Sequence, residues 1–338
     1  MSRAQLTSTV EQNTGGAVAP FVAGKNKIIN GDFGIWARGT SIPQYGSSTY
    51  TADRWRHYRD GSGATVTVTQ QTFTPGAAPV AGYEGQYFLR YNQSVAGSGG
   101  TYSTISQPIE NVQTFAGQTI TLSYWAKAST NLNITPNIVQ NFGSGGSSSV
   151  YNGVSSIQNL TTSWQRFTAT CVVPSISGKT VGSGSYLEFV LYLPVNSTFT
   201  IDLWGVQLES GPVATPFTTA SNTVQGELSL CQRYYWRNNG DTFSQLGAGT
   251  NASTTAAYIQ VSAPVTMRTI PTAIDYANLS VYDSASYPGV SAISFLGNQS
   301  SPKTFGINCT STSLTQFRPV FLICNNNING YLGFSAEL

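Results

Sequence analysis

The sequence holds a single histidine, His57, so a Ser-His-Asp or Cys-His arrangement would have to be built on it. It lies in DRWRHYRD, 53–60, where Arg54, Arg56 and Arg59 disfavour a protonated imidazole. No G-x-S-x-G nucleophile motif occurs. Glycosidase chemistry needs two carboxyl groups flanking one bond, one holding a proton and one ionised. Seven aspartates and seven glutamates are available for that, yet no segment concentrates them. The four cysteines, Cys171, Cys231, Cys309 and Cys324, are spread too widely for a zinc ribbon or a CxxC redox pair and read as buried thiols. Cys309 and Cys324 fall in consecutive expected strands and could pair, but assembly in a reducing cytoplasm argues against it. The expectation is a protein without catalytic residues.

Recognition of a sugar asks for different residues: aromatic faces to stack on the C–H face of a pyranose, and polar groups for its hydroxyls. Strand alternation sorts the six tryptophans. In 119–127, Ile120, Leu122, Tyr124 and Ala126 form one apolar face, leaving Trp125 with Thr121, Ser123 and Lys127. In 164–173, Phe167, Ala169, Cys171 and Val173 face one way, and Trp164 lies with Arg166, Thr168 and Thr170. Trp125 and Trp164 are therefore the candidate sugar platforms. Trp36, Trp55 and Trp204 read as core, the last sharing a face with Val206 and Leu208. Trp236, beside Tyr234 and Tyr235, reads as packing between domains or subunits.

The elements that must position these residues are strands. Short alternating or β-branched runs between Gly, Pro, Asn and Ser clusters recur at 65–70, 87–91, 101–107, 119–127, 164–173, 186–193 and 199–209, as in a sandwich or jelly roll. The pattern resumes at 254–261, 292–296, 303–309, 317–324 and 331–334, which predicts a second, smaller β domain. Between them 227–235 has helical spacing, with Leu228, Cys231 and Tyr235 at i, i+3 and i+7. The fold class is thus all-β: an extended arm over 1–25, a jelly-roll sandwich over 26–218, a linker and short helix over 219–236, and a C-terminal β domain over 237–338.

Composition narrows the partners. Charged residues are only 9% of the chain, against about 25% in an average soluble protein. With a net charge of +2 and no basic run, a phosphate-tracking surface for nucleic acid is not expected. The first residues lack the apolar region of a secretory signal, and no run of about 18 apolar residues offers a membrane span, so synthesis in a cytoplasm without membrane insertion is expected.

Three segments carry a family resemblance: NKIINGDFGIWARGTSIPQYGSSTYTADRW at 26–55, IDLWGVQLESGPVATPF at 201–217, and GELSLCQRYY at 226–235. In this order they resemble the tail-fibre and minor virion proteins of tailed bacteriophages. The resemblance implies a carbohydrate-binding-module-like jelly roll opened by the first segment and closed by the second, with the third leading into a C-terminal β domain. It also implies a homotrimer on a virion appendage, contacts to other tail or neck proteins, and attachment to a host-surface glycan. A capsid or neck decoration protein is the alternative, and a polysaccharide depolymerase the less favoured one, since short β-helix repeats are absent. Modules of this kind often hold a structural calcium with hard oxygen ligands. By resemblance Asn30 and Asp32 of NGDF and Asp202 of FTID are its candidate ligands, and the arm 1–25 is the candidate attachment segment.

Overall fold

The computed structural model describes residues 24–44, 48–80, 83–154, 157–283 and 286–338. The chain divides into two compact units, with the boundary between Glu227 and Leu228. Nearly all regular structure is β, as the alternation predicts. The expected arm lies outside the described residues except for Gly24 and Lys25.

Among the described residues the first unit contains thirteen strands: β1 (Ser41–Pro43), β2 (Ser48–Tyr50), β3 (Arg56–Arg59), β4 (Ser62–Thr72), β5 (Tyr87–Ser98), β6 (Ser103–Glu110), β7 (Thr119–Ala128), β8 (Leu132–Asn141), β9 (Val150–Gly153), β10 (Gln158–Leu160), β11 (Gln165–Val172), β12 (Tyr186–Tyr192) and β13 (Phe199–Ser210). They form two antiparallel sheets. One runs β1-β4-β5-β13-β7-β11, and the other β10-β8-β12-β6-β3-β2 with β9 beside β8. Inward side chains from both sheets make one core, including Trp55, Leu89, Tyr124, Phe189 and Leu203. Burial of this apolar area is the main stabilising term.

Strand β8 carries no clear sequence signal because Pro136 interrupts LNITPNIVQN. Its outer edge pairs with β10 at 132–134 and with β9 at 137–140. Pro136 therefore sits where the ladder on that side is broken, and its missing N–H costs little. Pro108 of β6 likewise lies beyond the residues that pair with β3.

A bulge corrects one expectation about the core. Trp204 is opposite Trp125, and Gln207 opposite Ser123, so β13 carries an extra residue between them. Gly205 takes φ +65 there. The insertion leaves Leu203, Val206 and Leu208 in the sandwich core and turns Trp204 to the opposite face. Trp204 is buried, but in a separate cluster with Phe73, Phe88 and Phe217.

The module is closed by hydrogen bonds. Asn26, buried, donates from Nδ2 to the carbonyls of Val206 (3.1 Å) and Thr218 (2.9 Å), and its Oδ1 accepts from Ile28 N (2.9 Å) and Leu208 N (3.0 Å). The carbonyl of Gly31 accepts from Val206 N at 3.0 Å, and a Cβ at Gly31 would lie 2.2 Å from the Val206 carbonyl oxygen. Glu227 adds a third tie, described below.

The helix α1 is Val224–Gln232, three residues earlier than the spacing predicts. Thr223 caps it, its Oγ1 accepting from Gly226 N at 3.0 Å, and Tyr235 opens a strand instead. The second unit contains β14 (Tyr235–Asn239), β15 (Gln245–Asn251), β16 (Ala256–Ser262), β17 (Ala273–Ala277), β18 (Leu279–Tyr282), β19 (Ala292–Phe295), β20 (Thr304–Thr310), β21 (Pro319–Cys324) and β22 (Tyr331–Ser335). They form a sheet of order β14-β22-β17 and another of order β18-β21-β15-β16-β20-β19. Trp236 stacks on Phe334 inside this unit, at 5.8 Å and 10°. Cys309 on β20 and Cys324 on β21 are separated by two strands, and both are free and buried.

Candidate functional site

The strongest site lies on the outward face of the sheet containing β12. Along β12, Leu187, Phe189 and Leu191 enter the core, so the alternate residues Tyr186, Glu188 and Tyr192 face outward. Cross-strand register sets Thr104 opposite both Tyr58 and Tyr192, and Ser106 opposite Arg56. These residues share the outward face with Tyr151 of β9 and Ser48 of β2. One groove of about 410 Å³ is lined from Ser48 to Tyr151. Strands β2 and β9 are on opposite sides of the sheet order, so a groove reaching both requires this face to be concave.

Its floor is charged but balanced. Glu188 Oε1 accepts from Arg56 Nη2 at 2.6 Å and from Arg56 Nε at 3.0 Å. Arg56 also reaches Ser106 Oγ at 3.3 Å, and the Tyr186 hydroxyl accepts from Asn141 Nδ2 at 3.1 Å. Among the described residues Glu188 Oε2 has no protein hydrogen-bond donor, and neither does the buried Asn137 Oδ1 on the same outward face. Of the two, Glu188 lines the groove and is the acceptor for a ligand hydroxyl.

Its walls are tyrosines. Tyr58 and Tyr102 meet edge to face at 5.2 Å, and Tyr102 and Tyr192 at 5.3 Å, which fixes these rings. Burial, helped by the Tyr192 hydroxyl, pushes the Tyr102 phenol well above its ordinary range, so it stays neutral and able to donate. Tyr151 is 66% exposed, offering a free ring face at the rim. Fixed aromatic walls over a neutral polar floor suit an uncharged sugar chain. Sorting the tryptophans alone does not reach these residues; the alternation of Tyr186, Glu188 and Tyr192 against Leu187, Phe189 and Leu191 is the signal that does.

The two predicted platforms are on the other sheet. Trp125 and Trp164 do face outward, as alternation indicates, but both are half-buried in the cluster of Phe73, Phe88, Trp204 and Phe217. Trp164 lies 5.5 Å from Phe73 and 5.5 Å from Phe88, so one side of its ring is covered by protein. Lys127 Nζ sits 5.3 Å from the Trp164 ring centre.

The expected calcium ligands do not converge. Asn30 donates from Nδ2 to the Ile35 and Asp53 carbonyls, and its Oδ1 accepts from Ile35 N. Asp202 is held by Arg90 at 2.6 and 2.8 Å, with Lys127 at 3.6 Å. Asp32 lines a different cavity, of about 340 Å³, with Glu227, Tyr83 and Glu84. The amide of Asn30 is spent on the backbone and the charge of Asp202 is already balanced, so these three residues do not fit one metal shell. Nor do the described residues contain a group of three or more acidic, His or Cys ligands placed for a metal. Burial, and then the neighbouring Glu227 charge, pushes the Asp32 carboxyl up to about 6.

His57 is buried against Tyr91, whose hydroxyl lies 3.3 Å from Nε2. Burial, and then the Arg59 charge, pushes its pKa down to about 3, so it is a neutral core residue.

No family model matches the chain, and neither does any curated protein sequence. Among solved structures, a carbohydrate-binding module of family 4 is 21% identical with a TM-score of 0.28, covering 43% of this chain and 87% of its own. A xylan-binding domain from Paenibacillus barcinonensis Xyn10C is 13% identical with a TM-score of 0.33, covering 57% and 99%. The enzymatically active domain of bacteriophage CBA120 tailspike protein 4 is 16% identical with a TM-score of 0.34; the match spans 57% of this chain and 22% of the tailspike. Scores this low transfer no ligand or activity, and the functional reading rests on the groove.

Proposed function

We propose that this chain is a glycan-binding, non-catalytic virion protein of a tailed bacteriophage, carried on a tail fibre or similar appendage, and that the tyrosine groove holds a neutral oligosaccharide of the host surface. The observation that carries the glycan reading is the groove itself: immobilised tyrosines, an exposed Tyr151 ring and a neutral Arg56–Glu188 floor with one unpartnered carboxylate oxygen. Tyrosine faces stack on pyranose C–H surfaces, while Glu188 and the Thr104 and Ser106 hydroxyls supply hydrogen bonds. The virion reading is supported by the three sequence segments that resemble tail proteins. Assembly as a trimer would multiply weak single sites into useful avidity.

Screening the full chain on an array of bacterial surface oligosaccharides tests this, with Tyr151→Ala as control. Loss of one exposed stacking face should weaken binding about tenfold, or about 1.4 kcal/mol. No binding to any glycan, or equal binding by Tyr151→Ala, would refute the groove assignment. Gold-labelled antibody on intact virus tests position: label on thin tail appendages supports attachment, and label on capsid or neck overturns it.

A further inference from the structure

We propose a second saccharide site, for a pyranose bearing an anionic group, on the outward face of the opposite sheet, built by Arg90, Lys127 and Trp164. Register places Asp202 of β13 directly opposite both Arg90 of β5 and Lys127 of β7. Asp202 is buried, and Arg90 Nε and Nη2 engage both its oxygens, so that pair is internally neutral. Lys127, at 3.6 Å, adds a second cation to one anion. The cluster therefore carries one uncompensated positive charge, in contrast to the balanced tyrosine groove. Both cations stay reachable from solvent, their side chains being 37% and 30% exposed.

They line a depression of about 250 Å³ together with Thr162 and Thr200. Lys127 points its ammonium at the ring of Trp164, two residues beyond Thr162. An anionic group placed between Arg90 and Lys127 would gain charge-assisted hydrogen bonds, with its sugar ring beside the indole and threonine hydroxyls at hand. This depression and the tyrosine groove are on opposite faces of one sandwich, so a short oligosaccharide cannot occupy both.

Calorimetric titration of the full chain with tetragalacturonate, its neutral methyl ester and a phosphorylated hexose tests the site. Either acidic sugar should bind, the acid at least tenfold tighter than its ester, and more weakly as salt rises. Lys127→Met should reduce that affinity at least tenfold and remove the preference for the acid. It keeps the Arg90–Asp202 pair, so it should fold; Trp164→Ala is the second variant, expected to weaken sugar but not bare anion binding. Tyr151→Ala should leave this binding unchanged, which separates this site from the groove. Absence of binding at millimolar acid, equal affinity for the ester, or undiminished binding by Lys127→Met would overturn the proposal. Displacement by an equal concentration of acetate would overturn it too, by reducing the site to a bare anion.

Discussion

Glu227 gives the sharpest test of how the first unit is held closed. Its Oε1 accepts from Asn30 N at 2.6 Å, and its Oε2 accepts from the Ser221 N and Oγ, each at 3.0 Å. The carboxylate thus joins the NGDF segment to the start of α1 while only 3% exposed. Hydrogen bonds to a charged group contribute about 1.5–3 kcal/mol each, and an orphaned buried donor costs about 1–3. These overlap, so Glu227→Ala should lose about 3–5 kcal/mol before any compensation. The compensation comes from Asp32. Its rise from 3.8 to about 6 corresponds to about 3 kcal/mol at 1.36 per pH unit, and Glu227 is the lesser cause, so relief is below about 1.5 kcal/mol. A carboxyl raised in the folded state binds its proton more tightly there, so its penalty is absent below pH 4 and complete above pH 6. Glu227→Ala should therefore cost more at pH 4.5 than at pH 7.5, with a net loss near 2–4 kcal/mol at the higher pH. Glu227→Gln, which keeps an acceptor for Asn30, should cost less than Ala at both. Urea unfolding followed by tryptophan fluorescence and circular dichroism measures this, with the two units fitted as separate transitions. A loss below about 1 kcal/mol for Glu227→Ala at both pH values would show that the clasp is not held by this carboxylate.

Further outcomes follow from other residues. His57 has its pKa lowered from 6.5 to about 3 by burial, so its contribution to stability is whole above pH 6.5 and is lost as pH falls toward 3. Relative to wild type, His57→Gln should gain up to about 3 kcal/mol between pH 7 and pH 4; parallel stability curves would disprove the shift. Gly205→Ala must hold φ +65 and bring a Cβ within 3.2 Å of Trp125 Cδ1, so a loss of about 1–2 kcal/mol is expected in the same unfolding assay. Asn26→Ala removes four buried hydrogen bonds and should cost about 3 kcal/mol or more, with an unchanged transition counting against its role.

Which residues were legible in the sequence follows from the range of the interactions that place them. Alternation is a local property, so it located β7, β11, β12 and most of β13, and it turned Trp125 and Trp164 outward correctly. Trp204 is buried, as expected, but not on the face of Val206 and Leu208, because one inserted residue at Gly205 reverses every face before it, and a lone glycine does not announce a bulge. Alternation missed β8 because Pro136 looks like a strand breaker unless one knows that two short strands share that edge. Sheet order is not local at all. That Arg56 would meet Glu188, 132 residues later, or that Asp202 would face Arg90 and Lys127 instead of Asp32, depends on which strands lie side by side. The calcium candidates were matched by motif, while the Asn30 amide and the Asp202 charge are committed to neighbours the motif does not contain.

The clasp around Asn26 bears on how the first unit carries load. The chain enters the sandwich at Asn26 and leaves near Thr218, and Asn26 bonds directly to Val206, Leu208 and Thr218. Tension applied through the chain on either side of the module is thus passed across a few hydrogen bonds at one corner. Gln107 of β6 exchanges two hydrogen bonds with the Ile29 backbone, each at 2.8 Å, so the ladder that carries the groove is tied to the same corner. A rupture experiment pulling from residues 25 and 218 should therefore report the Asn26 and Glu227 bonds first, and tension that passes them to Gln107 should loosen grip on a ligand.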